Sequence, residues 1–142
     1  MICTFFGHRN TPKEASVELR RILVDLIESK GVTEFLVGNQ GAFDRMVRHE
    51  LRRLKGIYPI KYTIVLAYLQ KENALTEEEI EDTVFPEGIE CVPKRFTIDF
   101  RNKWMVKKSE YVVTFVKNSF GGAAKFKEYA ERKNKTVINI TF

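Results

Sequence analysis

The chain predicts an α/β fold, a three-layer sandwich in which helices cover both faces of a five-stranded, mainly parallel sheet. Three observations predict it. Short β-like runs alternate with segments whose apolar residues recur at helical spacing. Each run is apolar along its length, as a strand buried on both faces must be. Finally, three junctions place glycine or small polar residues between such a run and a helical pattern: Gly7-His8-Arg9, Gly38-Asn39-Gln40-Gly41 and the stretch from Lys117 to Gly122.

Residues 2–6 form the first strand. Thr11-Pro12-Lys13-Glu14 then has the order of a capping box, with Thr11 as N-cap, Pro12 in the first helical position and Glu14 reaching back. Ala15, Leu19, Ile22, Leu23, Leu26 and Ile27 follow at helical spacing, and Gly31 is a natural stop. Residues 35–37 make the second strand; Phe43, Met46, Val47, Leu51 and Leu54 mark the second helix. Residues 62–68 are β-branched and aromatic enough for a third strand. From 70 to 93 the pattern breaks. Thr76-Glu77-Glu78-Glu79 carries the cap of a short acidic helix, but Pro86, Gly88 and Pro93 mark most of the stretch as an irregular, solvated insertion. Regularity returns with a helix over 94–108, a strand over 111–116, a helix over 120–133 and a last strand over 136–140.

At 142 residues and 44% hydrophobic, the expectation is one domain over 1–142, large enough to bury a proper core. No apolar stretch approaches the roughly 18 to 20 residues of a membrane span, and no signal-peptide layout opens the chain, so a cytoplasmic location without a membrane partner is expected. Cys3 and Cys91 have no paired or histidine-flanked spacing, so no metal site is expected. The net charge of +5 is spread along the chain, with a helical-spaced cluster at Arg45, Arg48, Arg52 and Arg53. That cluster reads as a solvated helix face or as a contact for an anionic partner, either a phosphorylated metabolite or nucleic acid.

Right-handed crossovers place the strands in the Rossmann-like order 3-2-1-4-5, with the chain reversing between strands one and four. Ligands bind at such a switch point, outside the carboxyl ends of the strands. The three glycine-bearing loops all emerge there. Glycine lets backbone approach a phosphate closely, and a helix N-terminus supplies free N–H groups and the positive end of its dipole. The candidate ligand-binding residues are Gly7, His8, Arg9, Gly38, Asn39, Gly41, Asp44, Arg101, Asn102, Gly121 and Gly122. Several have two readings. Arg101 either pairs with an acidic neighbour or clamps a phosphate or ribose with its planar guanidinium. His8 either donates to a phosphate or ties down its own loop, and Asp44 either complements a helix dipole or orients a ligand. Lys125, in the first turn of the last helix, opposes that helix's dipole, a position an anionic ligand would compensate.

Gly38-Asn39-Gln40-Gly41-Ala42-Phe43-Asp44 resembles the G-G-x-x-G-x-D loop of the SLOG superfamily, and Arg101-Asn102-Lys103-Trp104-Met105 resembles its R-N-x-x-M helix. Ser109-Glu110-Tyr111-Val112-Val113, followed by Gly121-Gly122, is similar to that group's strand and double-glycine loop. The order and spacing fit the YpsA-like branch best; the superfamily also holds the LOG phosphoribohydrolases and the Rossmann-like domain of DprA. The resemblance implies a pocket for a nucleotide or a nucleotide-derived ligand such as ADP-ribose or an NAD-like molecule. In the LOG branch a GGxGTxxE motif supplies a glutamate that works with the arginine of the preceding helix on an N-glycosidic bond. Glu128 and Arg101 hold those two places here, as the catalytic candidates, whereas Ala124 and Lys125 replace the third glycine and the threonine.

The expected function is therefore binding or sensing of a nucleotide-type metabolite, with no certain cofactor and with a homo-oligomer allowed. The alternative is a nucleoside monophosphate phosphoribohydrolase using Arg101 and Glu128. Nucleic-acid binding by analogy with DprA ranks third, because the basic residues form no long stripe.

Overall fold

The computed structural model describes residues 1–68 and 75–142. Its central strand, β1 (Ile2–Gly7), is buried from Cys3 to Phe6, and successive side chains alternate between the two faces of the sheet. Phe5 joins one core with Phe35, Phe43, Leu19, Leu23 and Leu51; Phe6 joins the other with Met105, Val106, Phe126 and Ala130. Burial on both faces makes the strand apolar throughout. It also makes three layers.

The first core packs beneath α1 (Ala15–Lys30) and α2 (Gly41–Lys55), and the second beneath α4 (Thr97–Lys108) and α5 (Gly122–Arg132). The remaining strands are β2 (Glu34–Val37), β3 (Lys61–Val65), β4 (Thr83–Val84), β5 (Tyr111–Phe115) and β6 (Thr136–Asn139). All five pairings are parallel, in the order β4-β3-β2-β1-β5-β6. The sheet has six strands, not five. The addition is β4, whose two residues pair with Ile64 and Val65 and extend the sheet at the β3 edge.

This extra strand lies in the stretch expected to be an irregular insertion. Residues 70–74 of that stretch lie outside the described residues, but the rest contains the short helix α3 (Glu77–Glu81), β4 and a 3-10 turn at Ile89–Cys91. The cap foreseen at Thr76 is present as a reciprocal capping box, with Glu79 N–H on Thr76 Oγ1 at 3.1 Å and Thr76 N–H on Glu79 Oε1 at 3.0 Å. The carboxylate of Glu79, expected to be solvated, is buried. It accepts from Tyr62 Oη at 2.7 Å and from Arg52 Nη2 at 3.1 Å, which anchors α3 to β3 and α2.

The other foreseen capping box does not form. Thr11 Oγ1 donates to the His8 carbonyl at 2.7 Å instead, and a turn from Pro12 to Ala15 leads into α1 with Glu14 at the N-cap position. Thr11 thus ties down the loop after β1. At the other end Gly31 closes α1 with φ 71°, a left-handed conformation that glycine adopts without penalty.

Burial pushes the Glu79 carboxyl up, but the Thr76 N–H, Tyr62 and Arg52 outweigh burial and hold it below its ordinary value. A lowered folded value means that stability is present above the unfolded-state value and is lost as pH falls through the folded one. Glu79→Gln is expected to lower unfolding free energy by about 2 kcal/mol at neutral pH. Urea titrations of wild type and variant should show that deficit narrowing once pH drops below the ordinary glutamate range.

Candidate functional site

Beyond the carboxyl ends of β1 and β2, under α4 and the start of α5, lies a crevice of about 360 Å3. Gly7, His8, Arg9, Asp44, Arg101, Asn102 and Gly122 all line it, so the structure brings seven of the candidate residues to one place. Gly38 and Gly41 shape it from behind. A Cβ on Gly38 would lie 2.8 Å from Asp44 Oδ2 and 3.0 Å from Arg101 Nη1, so that pair can face each other only across a glycine. Gly41 begins α2 at φ 84°, and its neighbour Ala42 donates to the Arg9 carbonyl at 3.1 Å. Gly121, at φ 97°, turns the chain into α5. Asn39 is half-buried beside the loop, outside the crevice lining. Glu128 is exposed on α5 and does not line the crevice either.

The crevice floor is charged. Arg101 is buried, with Nη1 donating to the Val65 carbonyl at 2.9 Å and Nε to Asn102 Oδ1 at 2.8 Å. Burial pulls its guanidinium below the ordinary value, and the charge of Asp44 opposes that pull. Asp44 is buried too and accepts from the Gln40 N–H at 2.9 Å. Burial raises its carboxyl, against the opposing effects of Arg101, the Gln40 N–H and Arg48. Arg48 completes the group from α2. It reaches the Gly38 carbonyl at 3.4 Å, and its buried Nε has no hydrogen-bond partner among the described residues. Arg48 lies in the fields of Glu79 and Asp44, and Arg101 in that of Asp44, so each buried guanidinium faces a carboxylate.

Two further contacts bear on readings the sequence leaves open. His8 Nε2 accepts the Lys117 N–H at 2.9 Å, and the imidazole stitches the loop after β1 to the loop after β5. Lys125 needs no ligand to offset its helix dipole, because its ammonium lies 2.6 Å from Asp99 of α4. The arginine cluster of α2 is also largely committed within the protein. Arg52 pairs with Glu79 and Arg53 with Glu50, while Arg48 is buried, leaving Arg45 exposed.

Sequence reasoning missed Gln40, Ile98, Met105 and Ala123, which also line the crevice. A signal existed for three of them. Ile98, Arg101, Asn102 and Met105 are spaced as one face of a helix, and Gln40 sits inside the glycine loop. Among the described residues no group of acidic, histidine and cysteine side chains could hold a metal ion, and no helix is long and apolar enough to cross a membrane. Cys3 is buried in β1, and Cys91 is exposed.

No protein-family model matches the chain, and no curated protein does. Among solved structures it is similar to DNA processing protein A (DprA) from Streptococcus pneumoniae, with a TM-score of 0.74 and 13% identity. The match covers 99% of this chain and 50% of that one, so the chain spans about half the length of that protein. At this identity the likeness is one of fold, a DprA-like Rossmann arrangement.

The glycines around the crevice differ in what they tolerate. A Cβ on Gly7 would fall 2.2 Å from Phe43 Cγ, within a ring buried in the core, whereas nothing lies within 4 Å of a Cβ on Gly122. Thermal denaturation should therefore show Gly7→Ala destabilised by about 3 kcal/mol, the upper range for overpacking. Gly122→Ala should stay within about 0.5 kcal/mol of wild type.

Proposed function

We propose that the crevice binds a nucleotide or a nucleotide-derived metabolite of the ADP-ribose or NAD-like kind, and that the protein acts as a binding or sensing module. The observation that carries this reading is the convergence of Arg9, Arg101 and the α5 N-terminus on one crevice, whose only lining carboxylate among the described residues, Asp44, faces the charge of Arg101 and accepts from the Gln40 N–H. Guanidiniums beside free helix N–H groups suit a phosphate. Phe6, Ile98 and Met105 supply apolar wall for a base. A crevice of about 360 Å3 falls within the size range of small-molecule pockets, roughly 300 to 1,000 Å3.

Hydrolysis is less well supported than binding. Cleaving an N-glycosidic bond develops positive charge on the ribose, which a nearby carboxylate must stabilise. Glu128 is exposed outside the crevice, and Asp44 is turned to Arg101. In a millimolar panel of AMP, ADP, ADP-ribose and NAD, at least one member is expected to raise the melting temperature, since a ligand at about 100 times its dissociation constant adds about 2.7 kcal/mol. Gly122→Asp should abolish the rise by putting a carboxylate at the helix N-terminus. Chromatography of the same incubations should find no free base. Base release lost in Glu128→Gln would establish the phosphoribohydrolase instead, and a thermal shift that survives Gly122→Asp would move the ligand elsewhere.

One surface favours a second reading, nucleic-acid binding, which the likeness in fold to a DNA processing protein also suggests. On the outside of α4 and α5, Lys103, Arg132 and Lys133 lie within 5.9 Å of the Tyr129 ring centre, and Lys108 lies 5.5 Å from that of Trp104. Cations interleaved with aromatic rings suit single strands. Two of the four contacts come from one helix end, and Lys103 is also paired with Asp99, so retention should be weak. Fluorescence anisotropy with a labelled oligonucleotide is expected to show binding lost by about 200 mM salt. Tight binding at that salt would favour nucleic acid over the metabolite.

A further inference from the structure

We infer that this protein assembles with further copies of itself, head to tail, through the two open edges of its sheet. The edges belong to different strands, β4 on one side and β6 on the other, and among the described residues nothing pairs with the outer side of either. An open edge is a template for another chain, which many proteins block with a charged residue or a proline inside the edge strand. β6 reads Thr-Val-Ile-Asn and β4 reads Thr-Val, with neither device. Both edges also show apolar surface: Val84, Phe85 and Ile80 are exposed at β4, and Val137 and Ile138 are half-buried on β6.

Charge tells the two edges apart. Residues 75–93, which surround β4, contain no lysine or arginine. Glu78 and Asp82 there face Lys55, while Glu77, Glu81, Glu87 and Glu90 are exposed and have no ion pair among the described residues. The approach to β6 has the opposite sign. It carries Arg132, Lys133 and Lys135, likewise without an ion pair among the described residues, and the neighbouring Glu131 is engaged by Lys127. The two sets lie at opposite ends of the strand order, so one molecule cannot bring its own together. Two copies can.

The backbone fits the same contact. The Ile64 N–H donates to the Asp82 carbonyl at 3.0 Å and the Leu66 N–H to the Val84 carbonyl at 2.9 Å, so alternation along the strand turns the polar groups of Thr83 and Phe85 outward. On the other edge the Thr136 N–H donates to Glu110 and the Ile140 N–H to Thr114, which turns those of Val137 and Asn139 outward. When β6 of one copy lies parallel to β4 of the next with Val137 beside Val84, the Val137 N–H meets the Thr83 carbonyl and the Phe85 N–H meets the Val137 carbonyl. Lys135 then falls beside Asp82. Pairing either edge with its own copy would instead leave each charged patch facing its own sign or solvent. A contact between unlike edges repeats, so copies add to one continuous parallel sheet and do not close as a dimer. β4 gives the ladder only two residues, and charge must therefore carry much of the contact.

Sedimentation velocity of the full chain tests the inference. At about 30 mM salt the weight-average mass is expected to rise with concentration past that of a dimer, and at about 500 mM, where screening cuts the Debye length to a few Å, to return to the monomer. Val84→Lys and Thr136→Glu, both at exposed positions, each present the incoming edge with its own sign of charge. Each should raise the concentration for half-assembly at least about tenfold. An equimolar mixture of the two should associate again, because each variant keeps the edge that the other has lost. Wild type that stays monomeric at low salt, stops at a dimer or assembles equally well at high salt would overturn the inference. So would variants that assemble like wild type, or that circular dichroism shows to be folded but that stay apart when mixed.

Discussion

The burial of Arg101 is the constraint around which the crevice is arranged. A guanidinium removed from water costs several kcal/mol unless its donors and charge are met. Here the end of β3 gives a carbonyl, Asn102 gives an amide oxygen, and Asp44 of α2 gives the countercharge. One side chain thereby fixes α4 against the end of β3 and against the start of α2. The same constraint explains Gly38, since any side chain there would separate Asp44 from Arg101.

That arrangement extends to a second arginine. Arg48 adds a second buried cation beside Asp44, and burial lowers both guanidiniums without neutralising either, because an arginine keeps its proton at any ordinary pH. The lining arginines, Arg9 and Arg101, suit a permanent anion, because both keep their charge at any ordinary pH. Phosphate meets that need better than a group that gains or loses its charge near neutrality. Asp44, the lone lining carboxylate among the described residues, faces the same cations, and for that reason the proposal is one of holding a nucleotide and not of cleaving it.

Much of the fold was legible because burial on both faces leaves its mark on every residue of a strand, as in Phe5 and Phe6 or Val112 and Val113. The glycine loops were legible for a related reason: only close backbone approach or positive φ requires glycine there, as at Gly7, Gly38 and Gly41. What escaped were features decided by distant partners. β4 is two residues long and carries no periodic signal; it exists because the edge of β3 offers Ile64 and Val65. Thr11 has a better local partner in the His8 carbonyl than in a helix N-terminus, and the pattern T-P-x-E cannot distinguish the two. Lys125 read as an unmet cation because its partner, Asp99, lies on another helix.

The segment after β3 is a further case, and it bears on the crevice. Glu79 faces Arg52 through hydrogen bonds and Arg48 through its field, while Arg48 also faces Asp44. Charges therefore alternate from Glu79 through Arg48 to Asp44 and Arg101, from the edge of the sheet to the crevice floor. Removing α3 would expose Tyr62 and leave Arg48 with only Asp44 to oppose its burial. Asp44 would then be shared between two guanidiniums with nothing beyond them. The stretch that looked like a solvated insertion is thus part of what allows two arginines to be buried on one side of a single aspartate.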